Sequence, residues 1–222
     1  MVCEAIFPTR VFIVAGSPAA RPPAGLAPGP GDLVIAADRG GSHARAWGWP
    51  VHLLVGDLDS LSADHAAALT AAGAVAITAP AAKDETDLEL ALMHALQRGA
   101  REIVICAALG GRGDHMLANV LLLARPELAG LSVILADGDQ TLRLVRGGQT
   151  LVLHATVGDL LSLLPVGGDA RGIVTEGLLY PLRSETLYLG QARGMSNVFQ
   201  APEARVSLKE GLLLAVHIQN VG

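Results

Sequence analysis

Short apolar runs recur through the first part of the chain with helical patterns between them, and this alternation constrains the fold more than any other feature. Residues 11–15, 33–37, 52–55, 74–77, 103–105 and 132–135 are nearly continuous in apolar character, as expected of strands covered on both faces of a parallel sheet. Between them, residues 41–47, 63–72, 86–98 and 115–123 have helical spacing. Strand and helix in alternation imply right-handed crossovers and an α/β, Rossmann-like parallel-sheet domain. Residues 19–31, rich in Pro and Gly, read as an irregular loop. From about Thr141 the texture changes. Runs at 142–145, 150–154, 160–164, 172–174, 186–189, 205–208 and 212–217 are separated by Gly, Asp and Pro, with no helical pattern among them. A small C-terminal all-β sandwich or barrel is the natural reading, and the expected domains are 1–140 and 141–222.

Composition narrows the function classes. The formal charge of −5 argues against a nucleic-acid partner, because such proteins neutralise phosphates with basic stripes. No run of about 18 uncharged apolar residues occurs, so no membrane span is expected. Residues 1–10 include Glu4 and Pro8 and lack the basic-then-apolar pattern of a signal peptide. Cys3 and Cys106 form no disulfide framework or zinc spacing, so a cytoplasmic location is expected. Cys106, inside an apolar run, reads as a buried and inert thiol.

The chemistry concentrates where the strands end. Gly56-Asp57-Leu58-Asp59-Ser60 follows the third run, and two carboxylates released into a Gly/Ser turn suit a hard cation that takes oxygen ligands. Asp38 follows the second run, Asp84 and Asp87 the fourth, Asp114 the fifth and Asp137 the sixth. Ligands of open α/β sheets bind beyond this edge, and a row of carboxylates there repels itself unless cations or donors sit among them. Leu88, Ala91, Leu92, Ala95 and Leu96 mark the buried face of a helix. Thr86 and Glu89 have the spacing of a capping box, which offers a purely structural reason for acids nearby. Lys83 is a phosphate ligand or a surface lysine. The next loop, Gly110-Gly111-Arg112-Gly113-Asp114-His115, precedes a helix with Leu117, Val120, Leu121 and Leu122. Its glycines permit close backbone approach, and Arg112 offers a planar fork for phosphate oxygens. The loop matches neither a Walker motif nor a dinucleotide fingerprint. His115 contacts a base or phosphate, or plays a structural part.

Taken in order, Ala37-Asp38-Arg39-Gly40, Gly56 to Ser60, Lys83 to Leu92, Gly110 to His115 and the later Gly194-Met195-Ser196-Asn197 resemble the thiamine pyrophosphokinase family over nearly the whole chain. The resemblance implies transfer of pyrophosphate from ATP to the hydroxyl of thiamine with Mg²⁺, giving thiamine diphosphate and AMP. It implies that Asp57, Asp59 and Asp87 hold the metal and orient the hydroxyl. Asp38, Lys83, Asp84, Thr86, Gly111, Arg112, Asp114 and His115 would serve the nucleotide and its phosphates. Ser196 and Asn197 would lie near the vitamin, in a homodimer that places thiamine between the α/β domain of one subunit and the β domain of the other. The first domain would then be catalytic, the second thiamine-binding and dimerising.

This chemistry agrees with the charge pattern. An acidic edge accepts anionic ATP only through divalent cations, and phosphoryl-type transfer needs positioning and charge neutralisation rather than a protein nucleophile. Asp87 is the candidate acceptor of the hydroxyl proton. The family holds its vitamin through aromatic or apolar contacts, whereas this chain has few aromatics, and Trp47 and Trp49 suit packing. Alternatives are pyrophosphoryl transfer to another alcohol such as a hydroxymethyl pterin, a Mg²⁺-dependent phosphohydrolase or nucleotidyltransferase, and a non-catalytic nucleotide sensor.

Overall fold

The computed structural model describes residues 10–18, 20–57, 63–78 and 84–220. The chain divides into two compact units, Met1–Gly138 and Asp139–Gly222.

The first unit runs β1 (Arg10–Val14), β2 (Leu33–Ala37), α1 (Gly40–Ala46), β3 (Leu53–Gly56), α2 (Ala63–Ala71), β4 (Val75–Thr78), α3 (Asp87–Gln97), β5 (Glu102–Cys106), α4 (Gly113–Leu121) and β6 (Ser132–Asp137). Its strands lie in the order β6-β5-β1-β2-β3-β4, and every neighbouring pair is parallel. The chain moves outward from β1 to β4, then returns to the far side of β1 with β5. Strand order therefore reverses between β1 and β5, and a crevice opens beyond their carboxyl ends. Val14 pairs with both Ala36 and Cys106, and Ala37 pairs with Val55, so the loops after β1, β2, β3 and β5 leave one edge at matched heights.

The apolar runs explain the core. β1, β2, β3 and β5 are buried over nearly their full length. β4 departs from the expectation of strands covered on both faces: it closes the outer edge of the sheet, and Val75 is 59% exposed. Helix α3 buries Leu88, Ala91, Leu92 and Ala95, the face that its periodicity marks. Phe12, Val34, Leu54 and Val104 belong to a core cluster against which Trp47 and Trp49 pack, with Phe12 and Trp49 edge to face at 5.4 Å. The tryptophans are thus packing residues, each with its ring in aromatic contact. Cys106 is fully buried, and burial, with the nearby Asp137 carboxylate, pushes its thiol far above the usual range.

The expected capping box forms only by half. Thr86 Oγ1 accepts the Glu89 backbone N–H at 3.2 Å, while the Glu89 carboxylate pairs instead with Arg125. Helix α4 also departs from a buried amphipathic helix: none of its residues is buried, and Leu117 and Leu121 are 60% and 55% exposed.

The Pro-rich loop acquires a physical role. The Arg21 N–H donates to Asp137 Oδ1 at 3.0 Å, and the Ala24 N–H donates to the Gly138 carbonyl at 2.7 Å. Leu26 packs against the core, and Arg10 pairs with Asp32 at 2.7 Å where the loop returns to β2. The loop is a strap over the end of β6, and Asp137 is its buried anchor.

The second unit is all β. It contains β7 (Gln140–Arg146), β8 (Thr150–His154), β9 (Leu160–Pro165), β10 (Ala170–Glu176), β11 (Arg183–Leu187), β12 (Asn197–Val198), β13 (Glu203–Ser207) and β14 (Leu212–Ile218). Strands β12-β9-β14-β7 form one antiparallel layer and β11-β10-β13-β8 the other. Alternate residues Val145, Leu161, Leu163, Leu213 and Ala215 of the first meet Leu153, Ile173, Leu187, Ala204 and Val206 of the second in a shared core. That is a sandwich, one of the two architectures that short runs without an intervening helix predict. Strand β12 is too short to show in the sequence, and β11 begins three residues before its expected run.

Candidate active site

Three turns at the carboxyl edge of the parallel sheet converge on one point. After β2 the chain bends at Asp38, whose φ is +46, and its N–H donates to the Val55 carbonyl at 2.9 Å, fixing the turn to β3. A Cβ on Gly40 would lie 1.8 Å from the Val14 carbonyl oxygen, so the turn sits directly on β1. After β3, Gly56 adopts φ +146 and releases half-buried Asp57. Thr86 caps α3, and Asp87 is its first residue. Asp38, Asp57 and Asp87 each offer a carboxylate oxygen, and these oxygens lie within 4.8 Å of one another.

Gly56 makes that approach possible. A Cβ there would stand 3.1 Å from Asp87 Oδ1 and 3.2 Å from Asp38 Cβ. Three carboxylates from three segments, crowded around a glycine, make the oxygen-rich and strongly anionic donor set that Mg²⁺ requires. The residues present therefore fit a hard divalent cation.

The cluster opens into a cavity of about 720 Å³ over the β1–β5 crevice. On its other side stands the loop after β5. Gly110 and Gly111 have φ of +82 and +73, and a Cβ on Gly111 would meet the Pro18 ring at 2.7 Å. Arg112 and Asp114 pair within this loop, Nη2 to Oδ2 at 2.7 Å and Nε to Oδ1 at 3.2 Å, with both side chains largely exposed. The Arg112 guanidinium, with the His115 N–H, holds the Asp114 carboxyl down at about 2. The arginine fork read as a phosphate ligand is thus turned onto a neighbouring carboxylate.

Of the residues singled out in the sequence, Asp38, Asp57, Thr86, Asp87, Arg112 and His115 line the cavity. Asp38, which the resemblance gives to the nucleotide, lies with the carboxylate cluster. Asp84 is exposed and Asp114 faces Arg112; neither lines the cavity, and Gly111 packs against Pro18, which does. Asp59, Ser60 and Lys83 lie outside the described residues. Ser17, Arg39, Glu85 and Asn119 also line the cavity and were not singled out. Asn119 was within reach of the sequence, since it stands four residues after His115 on one helix face. Its amide donates to the Ala108 carbonyl at 2.9 Å.

Ser196 and Asn197 belong to the second unit. Ser196 has φ +54, is exposed, and its N–H donates to Ser162 Oγ at 3.0 Å. Asn197 is buried, and its amide is spent on the backbone. Oδ1 accepts the N–H groups of Tyr180 and Val198, and Nδ2 donates to the Tyr180 carbonyl. Tyr180 and Met195, both exposed, flank this segment.

Comparison with known proteins shows which family the chain resembles over both units. The family model for thiamin pyrophosphokinase, catalytic domain, matches residues 30–135, and that for thiamin pyrophosphokinase, vitamin B1 binding domain, matches residues 149–213. Thiamine pyrophosphokinase of Bacillus subtilis is 27% identical over 161 residues, which cover 72% of this chain and 75% of that protein. The crystal structure of thiamine pyrophosphokinase from Bacillus subtilis superposes with a TM-score of 0.86 at 25% identity, covering 96% of this chain and all of that one. A thiamin pyrophosphokinase family protein from Enterococcus faecalis gives 0.83 at 29% identity, covering 95% of this chain and 99% of its own.

Fold and comparisons together define an ATP-dependent transferase built as an α/β unit followed by a β sandwich. Within that class, the chain belongs to the thiamine pyrophosphokinase family. The pterin and phosphohydrolase alternatives find no support.

Proposed function

We propose that the chain transfers the β,γ-pyrophosphoryl group of Mg²⁺-bound ATP to thiamine. The observation that carries this reading is the convergence of Asp38, Asp57 and Asp87 on the cavity within the segment matched to the catalytic domain. The thiamine hydroxyl oxygen forms a bond to the β-phosphorus, and the bond from that phosphorus to the oxygen bridging the α-phosphate breaks. AMP leaves with the bridging oxygen, and the hydroxyl proton passes to a carboxylate. Asp87, in the first turn of α3, would take it.

Bound at this cluster, Mg²⁺ would neutralise phosphate charge and draw ATP onto an edge that otherwise repels it. Asp38, Asp57 and Asp87 would be its ligands, and the family resemblance adds Asp59. His115, Asn119 and the glycine loop would hold the nucleotide end. The second unit would take thiamine beside Ser196, with Tyr180 and Met195 as its apolar contacts.

The exposed Leu117 and Leu121, one turn apart on α4, support assembly as a homodimer, because they offer an apolar contact for a second copy. The absence of a disulfide framework in the sequence supports a cytoplasmic location.

The test is direct: incubate the protein with ATP, Mg²⁺ and thiamine, and follow AMP and thiamine diphosphate. One AMP per thiamine diphosphate, dependent on thiamine, is expected. Release of ADP, or ATP breakdown indifferent to thiamine, overturns the reading.

A further inference from the structure

Among the described residues, one guanidinium lining the cavity has no ion-pair partner. Arg39 is exposed in the turn after β2 and lines the cavity. Its carbonyl accepts the Ser42 N–H at 2.9 Å, but among the described residues its side chain forms no hydrogen bond or ion pair. Arg112, the other arginine lining the cavity, is held by Asp114 through two contacts.

The backbone under Arg39 is fixed. A Cβ on Gly16 would come within 3.1 Å of Arg39 Cβ, and one on Gly40 within 1.8 Å of the Val14 carbonyl oxygen. Residues 39 and 40 therefore rest on the end of β1, with no side chain between. Any substituent at Gly16 or Gly40 would push the turn outward.

Sheet order then places the arginine. The carboxylate cluster belongs to β2, β3 and α3, whereas the glycine loop with Arg112 and His115 follows β5. Strand β1 lies between β2 and β5, so a polyphosphate reaching from one side to the other passes over the end of β1, where Gly16 leaves room and Arg39 stands. The lining also includes Asp38, Asp57, Glu85 and Asp87. Against four carboxylates, a free guanidinium beside the path supplies the positive charge that an anionic ligand needs on the side away from any metal.

We propose that Arg39 binds the β- and γ-phosphates of ATP, the group that is transferred, and that Gly16 and Gly40 exist to seat it there. This rests on reading the cavity as the ATP site. Because Arg39 adjoins Asp38 rather than the β5 loop, it acts on the terminal phosphates and leaves the nucleoside monophosphate half untouched.

The experiment compares wild type, Arg39→Ala and Arg39→Lys by calorimetric titration with α,β-methylene-ATP plus Mg²⁺, and with AMP. Arg39→Ala should weaken the triphosphate analogue by about tenfold or more, as expected for loss of a charge-assisted contact, while AMP affinity shifts by less than about twofold. Arg39→Lys should recover part of the loss, since it keeps the charge without the fork. Steady-state KM for ATP should rise in parallel, with KM for thiamine unchanged. An Arg39→Ala protein that binds the analogue within twofold of wild type overturns the assignment. So does an equal loss for analogue and AMP, which would mean a collapsed turn. A wild type that neither binds the analogue nor makes thiamine diphosphate overturns the underlying ATP reading instead.

Discussion

The side-chain amide of Asn197 holds both backbone polar groups of Tyr180, accepting its N–H at 3.0 Å and donating to its carbonyl at 2.8 Å. The amide is thereby a brace between two segments of the sandwich, and the exposed Tyr180 ring and Ser196 hydroxyl are presented from its two ends. Asn197→Asp places a carboxylate oxygen against the Tyr180 carbonyl and leaves buried groups unsatisfied. It should cost about 1–3 kcal/mol of stability, read as the shift in urea midpoint. If the brace positions thiamine contacts, KM for thiamine should rise more than kcat falls. Unchanged stability would mean that the amide is dispensable.

Gly56 is the position at which the least chemistry should do the most damage. Its φ of +146 disfavours any side chain, and an added methyl would press on Asp87 Oδ1 and Asp38 Cβ. Gly56→Ala should spread the carboxylate cluster and lower kcat/KM by about two orders of magnitude, roughly what a 1 Å misplacement costs. A variant within threefold of wild type would show that the cluster tolerates rearrangement.

The carboxylates repel one another, so charge removal should separate function from stability. Asp57→Asn and Asp87→Asn are each expected to keep or raise the melting temperature without metal while lowering turnover by orders of magnitude. Millimolar Mg²⁺ should raise the melting temperature of the wild type and shift either variant less, by linkage. Equal shifts in all three would place the cation elsewhere.

Much of this was legible because the signals were local and periodic. Leu88, Ala91, Leu92 and Ala95 announce the buried face of α3, and Asp57 and Asp87 stand where the sheet edge had to be. The misreadings have tertiary causes. Glu89 has capping-box spacing, yet Arg125, 36 residues away, takes its carboxylate. The pairing of Asp114 with Arg112, two residues before it, is likewise a matter of side-chain direction that no spacing reports. Asp137 looks like one more acid on the edge but is the anchor of the Pro-rich strap, a pairing between residues 116 apart in sequence. Arg39 carries no sequence signal of its own, because what fixes its turn is the close approach of Gly16 and Gly40 beneath it, and no spacing rule reports that.

A second buried pair, unrelated to the acidic cluster, gives the sandwich a pH dependence. Asp159 and His217 are 3% and 7% exposed, and His217 Nε2 lies 2.8 Å from Asp159 Oδ2. The Thr156 and Asn220 N–H groups also donate to this carboxylate. Burial opposes its ionisation, but the Asn220 N–H, His217 and the Thr156 N–H outweigh that and hold the Asp159 carboxyl below the ordinary aspartate range. The stability so gained is present in full above the unfolded-state value of about 3.9, and falls as the pH drops from there through the lower folded-state value. Asp159→Asn should therefore be less stable than wild type at pH 7, and the gap should narrow on acidification below about pH 4. Urea denaturation followed by far-UV circular dichroism at several pH values reads both. A gap that stays constant through the acid range would mean that the carboxylate is no better held in the folded sandwich than in the unfolded chain.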